Sequence, residues 1–283
     1  MAIAKIGKVQ VLATLGAGAH SSILHVRREA DGKEYALKVV SIGGEEEKKY
    51  LEQARHEFRV AQMLDHPNLI KIYCLETESD WLFRVRKAKL LIEFAPGETL
   101  DKVPLLKMAK LLRVLEKVAS ALVHMHKQGV IHADLKPSNV MLGRGLTVKV
   151  LDYGLAWIKG ESKDRVQGTP EYMAPETASH KVINERTDIY NFGAMMYRLA
   201  TFRLPLSAVV PGGLALDRKS FATMLKPVNE LNPLAPKGFC DLIHRCLSFD
   251  ARQRPERMSE VQGVLDRLAD EAAAKADPAD LEE

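Results

Sequence analysis

Two stretches decide how this chain is read: Val130-Ile131-His132-Ala133-Asp134-Leu135-Lys136-Pro137-Ser138-Asn139-Val140 and, shortly after, Val148-Lys149-Val150-Leu151-Asp152-Tyr153-Gly154. The first follows a helical apolar stripe and precedes a strand, so it reads as a loop holding an acid, a lysine and a carboxamide together. The second ends a strand on another carboxylate. Two carboxylates and an amide are hard oxygen donors that suit Mg²⁺ shared with substrate phosphates, and the lysine adds positive potential beside them. Paired carboxylates also serve glycoside hydrolysis, but the neighbouring lysines and asparagine match phosphate better.

Working outward, Leu111, Leu115, Val118, Leu122 and Met125 form one helical stripe, and Gly129 is placed to end that helix. The first third of the chain reads as strands. Val9, Val11, Ala13 and Leu15 alternate up to Gly16-Ala17-Gly18, and Ile23 to Arg27 and Glu34 to Val40 follow, joined by Asp31-Gly32. A helix carries Leu51, Ala54, Phe58, Ala61 and Leu64, and two more strands surround Trp81 to Phe94. The basic run Arg84 to Lys89 reads as a solvated hairpin face. Later helices are expected near Asp188 to Ala200, Phe239 to Leu247 and Ser259 to about Leu268.

Gly16-x-Gly18 lies between two strands, where a tight turn lays backbone N–H groups over phosphates, although a plain two-glycine hairpin has the same sequence. A Rossmann turn is excluded because a strand follows, and a Walker loop because no Gly-Lys-Ser/Thr does. Lys38 lies on an apolar strand and needs a partner; Glu57, beside Phe58 on the next helix, is the candidate.

The whole sequence has 283 residues, 46% hydrophobic and 28% charged, which excludes general disorder and a collagen-like chain. A net charge of +4 is too small to argue for nucleic acid. No apolar run approaches the ~18 residues of a membrane span, and the opening residues lack a signal-peptide core. Cys74, Cys240 and Cys246 form no CxxC pair, and an odd count suits a reducing compartment, so a cytoplasmic location is expected. His124, His126 and His132 make a poor metal set, because residues two apart on a helix do not face one point.

Taken in order, these motifs resemble those of the protein kinase family, of the bacterial and eukaryotic Ser/Thr type, over roughly residues 8 to 270. The resemblance implies an α+β, two-lobed fold. An antiparallel-sheet N-lobe with one main helix would span 8–95, a helical C-lobe 96–270, and a frayed tail 271–283. Leu15 to Ile23 is similar to the glycine-rich loop, with Ser21 where the family has its third glycine. The resemblance assigns Lys38 to the α- and β-phosphates of ATP, Glu57 to Lys38, and backbone at Glu93 and Ala95 to adenine. Gly16 and Gly18 would cover the phosphates, while Leu15, Ile23, Ala36 and Met141 would sandwich the base. Asp134 resembles the catalytic base and Lys136 the γ-phosphate lysine; Asn139 and Asp152 resemble the Mg²⁺ ligands. The Asp-Leu-Lys-Pro sequence favours Ser/Thr acceptors in a protein substrate. Asp188 would brace the catalytic loop, and Glu176 would pair with Arg254.

Two departures matter. Tyr153 stands where the family has Phe, so its hydroxyl needs a partner if buried. Ala133 stands where the family has an arginine that pairs with a phosphorylated activation loop. Activity is therefore expected not to wait for phosphate between Asp152 and Glu176; phosphatase treatment should leave turnover intact, and loss of nearly all turnover would contradict this. Ser162 reads as an ordinary loop serine, with a modification site the alternative, and Thr169 matches a position that lines the substrate site. A pseudokinase scaffold and a kinase of small molecules share parts of the pattern. The first commonly lacks one of Lys38, Asp134, Asn139 and Asp152, all present here, and the second lacks the Ala174-Pro175-Glu176 stretch with Arg254.

Overall fold

The computed structural model describes residues 5–18, 20–44, 47–162, 168–205, 207 and 217–275. The chain divides into two compact units, Met1–Pro96 with Leu151–Gly154, and Gly97–Val150 with Leu155–Glu283. The return of Leu151–Gly154 to the first unit is a detail that a single boundary near residue 95 does not capture.

Strand alternation in the first unit produces β1 (Val9–Ala17), β2 (Ser21–Arg28), β3 (Glu34–Ser41), β4 (Ile72–Ser79) and β5 (Val85–Glu93). They form one antiparallel sheet in the order β1-β2-β3-β5-β4. Val26, Tyr35, Leu37, Cys74 and Leu91 build a core on one face, joined by Ile6. Helix α1 (Lys48–Gln62) buries Leu51, Ala54, Glu57, Val60 and Ala61, a stripe with helical spacing that carries one carboxylate inward. The β4–β5 turn is fixed by Asp80, whose carboxylate accepts the N–H groups of Leu82 and Arg84. In the basic run, Arg86 pairs with Asp80 and Lys89 with Glu78, on an otherwise solvated hairpin.

The second unit contains β6 (Glu98–Thr99), α2 (Met108–Lys127), β7 (Val130–Ile131), β8 (Val140–Gly143), β9 (Thr147–Val150) and β10 (Trp157–Ile158). It continues with α3 (Pro175–His180), α4 (Glu185–Thr201), α5 (Arg218–Met224), α6 (Val228–Leu231), α7 (Lys237–Cys246) and α8 (Met258–Lys275). Helix α2 ends at Gly129, whose φ of 71° suits glycine. It packs along α8, where Arg113 bridges Asp266 and Asp270 at 2.8 and 2.6 Å. Helices α4 and α7 cross so closely that a Cβ on Gly193 would lie 2.7 Å from the Cys246 side chain. Cys74, Cys240 and Cys246 are free and buried, and burial pushes the Cys246 thiol up to about 12.

The tail expected to fray from residue 271 is instead helical through Lys275. Its Ala272-Ala273-Ala274 run is strongly helix-forming, and Asp270 is held by Arg113. Residues 276–283 lie outside the described residues. Among the described residues, no helix is long and apolar enough to cross a membrane.

Candidate active site

In the first unit, β3 places Lys38 opposite Ile23 on one side and Leu90 on the other. Its Nζ donates to Glu57 Oε2 at 2.6 Å, and Glu57 is only 3% exposed. Burial lowers the pKa of the Lys38 ammonium, but the carboxylates of Glu57 and Asp152 raise it by more, so the net shift is upward and Lys38 stays charged. Asp152 sits at a left-handed φ of 61°, held by the Gly154 N–H, which donates to its Oδ1 at 3.0 Å. A Cβ on Gly154 would meet the Gln53 amide at 2.8 Å and Asp152 Oδ1 at 3.1 Å.

The glycine-bearing turn closes with the Gly18 N–H donating to the Ser21 carbonyl at 2.7 Å. Ala19, between them in sequence, lies outside the described residues. A Cβ on Gly16 or Gly18 would meet nothing closer than 3.7 Å. Crowding by the described atoms therefore does not demand these glycines, whereas close approach of a ligand to the backbone would. Leu15 and Ile23 remain exposed and Ala36 is buried. At the end of β5, the Glu93 N–H donates to the Lys71 carbonyl at 2.8 Å. Ala95 follows in irregular chain.

In the second unit the loop between β7 and β8 is built around Asp188, which is fully buried on α4. Its carboxylate accepts the N–H groups of His132 and Ala133 at 2.9 and 2.8 Å and lies 2.8 Å from His126 Nε2. Burial pushes this carboxyl up, but His126 and the backbone donor outweigh it and hold it below the usual carboxylate range. The two-pronged acceptor fixes Ala133 at a left-handed φ of 63°.

The next residue is then presented with both oxygens engaged. Asp134 Oδ1 accepts the Thr169 N–H and hydroxyl, both at 2.9 Å, and Oδ2 accepts Lys136 Nζ at 2.8 Å. Lys136 also donates to Thr169 Oγ1 at 2.7 Å. The Asn139 Nδ2 donates to the Asp134 carbonyl at 2.8 Å, which turns the amide oxygen away from that carbonyl. Met141 lies on β8, opposite Thr99 and Lys149. Asp152 and Asn139 both offer oxygen donors, a chemistry that fits a hard cation such as Mg²⁺.

Farther along, Arg254 is wholly buried and makes a two-pronged bond to Glu176 at 2.7 and 2.8 Å. Its remaining N–H groups donate to the carbonyls of Ser248, Arg186 and Phe249, and the guanidinium lies 4.8 Å from the Tyr190 ring centroid. The structure thus gathers Lys38, Glu57 and Asp152 in one unit and Asp134, Lys136 and Asn139 in the other. Sequence reasoning missed His126 as a partner of Asp188 and the hold of Thr169 on Asp134. Neither has a local signal, since the partners are 62 and 35 residues apart.

A sequence profile of the protein kinase domain matches residues 9–264. The chain belongs to the protein kinase family. Its antiparallel-sheet first unit and helical second unit are those of a kinase domain. Among curated relatives, this kinase domain is 29% identical to serine/threonine-protein kinase pkn2 of Myxococcus xanthus over 92% of this chain and 32% of that protein. It is 25% identical to serine/threonine-protein kinase PrkC of Bacillus subtilis, over 92% of this chain and 40% of that one. It is 30% identical to serine/threonine-protein kinase pkn3 of Myxococcus xanthus, over 88% and 47%. The chain spans about a third to a half of the length of these relatives.

The kinase domain's Tyr153 meets the need raised by its hydroxyl: the ring is buried and Oη donates to the Ile70 carbonyl at 2.9 Å. Tyr153→Phe removes that donor and is expected to cost about 0.5–1.5 kcal/mol of stability while leaving the Asp152 backbone in place. Denaturant unfolding checks this. An unchanged midpoint would mean that the hydroxyl bond contributes nothing.

Proposed function

We propose that this chain transfers the γ-phosphoryl group of ATP to Ser or Thr hydroxyls of a protein substrate. The observation that carries the reading is the Asp134 carboxylate, which shares its loop with Lys136 and Asn139 and is held on one side by Lys136 and on the other by the distant Thr169. In this reading the acceptor hydroxyl displaces part of that network and donates to Asp134, which takes its proton as the new O–P bond forms. The bond from the γ-phosphorus to the β-phosphate oxygen breaks, and ADP leaves. Lys136 offsets the charge of the transferring group, and Lys38, kept charged by Glu57 and Asp152, holds the α- and β-phosphates. Asp152 and Asn139 would offer oxygen ligands to Mg²⁺, which would supply charge neutralisation on the phosphates when bound. Gly16 and Gly18 leave the backbone open to the phosphates. Leu15, Ile23, Ala36 and Met141 offer apolar surface to the base, with Glu93 and Ala95 offering backbone groups. The free, buried cysteines support a reducing, cytoplasmic setting.

The test is incubation of the protein with Mg²⁺, γ-labelled ATP and a generic protein acceptor, with modified residues mapped by mass spectrometry. Label on Ser and Thr is expected. Nucleotide binding with no transfer to any acceptor would favour a scaffold.

A further inference from the structure

Helix α1 presents one face twice. Tyr50, Ala54 and Glu57 fall at i, i+4 and i+7, so they line a single side. The Glu57 end holds Lys38. At the Tyr50 end, His20, at the tip of the glycine-bearing turn, stacks on the tyrosine ring with centroids 4.5 Å apart and planes 24° apart. His20 Nδ1 lies 3.6 Å from Glu47 Oε1, and its carbonyl accepts the Ser41 N–H at 2.9 Å. Glu47 is itself anchored by the Gly43 N–H. Beside the stack lies a cavity of about 220 Å³ whose walls include His20, Ser21, Lys38, Tyr50, Gln53 and Glu57. All of these residues belong to the first unit.

A turn with two glycines has little side chain with which to hold itself in place, and ordering it at the moment of binding costs affinity. We propose that His20 and Tyr50 are positioning residues for the nucleotide: their stack fastens the tip of the glycine turn to α1 and keeps the cavity over Lys38 roofed before the polyphosphate enters. Glu57 shares the Tyr50 face of α1. The same helix therefore sets both the roof and the partner of the phosphate lysine. This inference rests on the ATP-binding reading above. It gives His20, which the resemblance placed in the glycine-rich loop without a role of its own, a defined contact, and it adds Tyr50.

The test compares His20→Ala, Tyr50→Leu, the double variant and His20→Phe. Mg·ADP affinity is read by calorimetric titration, and KM for ATP and kcat by phosphotransfer. Each single loss of the stack should weaken Mg·ADP binding and raise KM for ATP about three- to tenfold, the scale of one aromatic pair, with kcat moving much less. The double variant should be no worse than the worse single, because both remove one contact. His20→Phe, which keeps a stacking ring, should restore affinity. Wild-type affinity in both singles, or effects that multiply in the double, would overturn the clasp. If Tyr50→Leu proves unstable in a thermal melt, the two His20 variants still decide. Mg·ADP titration reads the clasp even without turnover. An active wild type whose nucleotide affinity ignores these residues sinks the clasp alone, whereas a wild type without transfer sinks the phosphotransfer reading.

Discussion

Asp134→Asn is expected to keep the fold and the nucleotide affinity while losing about 10²- to 10⁴-fold in phosphotransfer, the usual worth of a positioned general base. The substitution is nearly isosteric, and an amide oxygen can still accept at least one of the bonds now made by Thr169 and Lys136. It cannot take up the acceptor proton. The Lys136 ammonium also loses the carboxylate that anchors it 2.8 Å away. Nucleotide affinity should hold, because Lys38, Glu57 and Asp152 belong to the other unit. Single-turnover rates beside Mg·ADP titration separate the two quantities. Equal rates for wild type and Asp134→Asn would remove the assignment of the base.

Asp188→Ala is expected to cost about 3–5 kcal/mol of stability, as removal of one partner from a buried charged network does. The His132 and Ala133 N–H groups would lose their carboxylate in a dry interior, and Ala133 would lose what holds it at positive φ. The same carboxyl gives the loss a pH signature. Its folded-state pKa lies below the ordinary value, so its contribution is full above the usual aspartate range near pH ~4 and fades as pH falls through the depressed folded value. The stability gap between wild type and Asp188→Ala should therefore be widest near neutrality and narrow below about pH 4. Chemical denaturation from pH 7 to pH 3 measures it, and a gap that is small, or that widens on acidification, would contradict this role.

Much of the site was legible because its chemistry is local in sequence. Asp134, Lys136 and Asn139 sit within one loop, and Asp152 ends the next strand pair. Lys38 and Glu57 could be paired in advance because an apolar strand does not tolerate an unpaired ammonium. β1 was readable by its alternation, and α1 and α2 by their apolar stripes; β2, β3, α4 and α7 fall near their expected places. Past α1, the sequence points to strands only around Trp81 to Phe94, so β4 (Ile72–Ser79) lies outside that span. The short helices α3, α5 and α6 were not readable, since each is too brief for an apolar stripe to repeat. The helical end of α8 escaped because an Ala-, Asp- and Glu-rich tail has no stripe, while its anchor, Arg113, lies on α2. The same limit hid the His126–Asp188 contact and the His20–Tyr50 stack: they join residues far apart in sequence, and no spacing rule links them.

The most direct check on the whole account is a crystal structure of the domain with Mg²⁺ and a non-hydrolysable ATP analogue. The Lys38 ammonium is expected on the α- and β-phosphates, oxygens of Asp152 and Asn139 on the metal, and Asp134 facing the γ-phosphate. Nucleotide bound elsewhere, or bound with those four side chains remote from it, would contradict it.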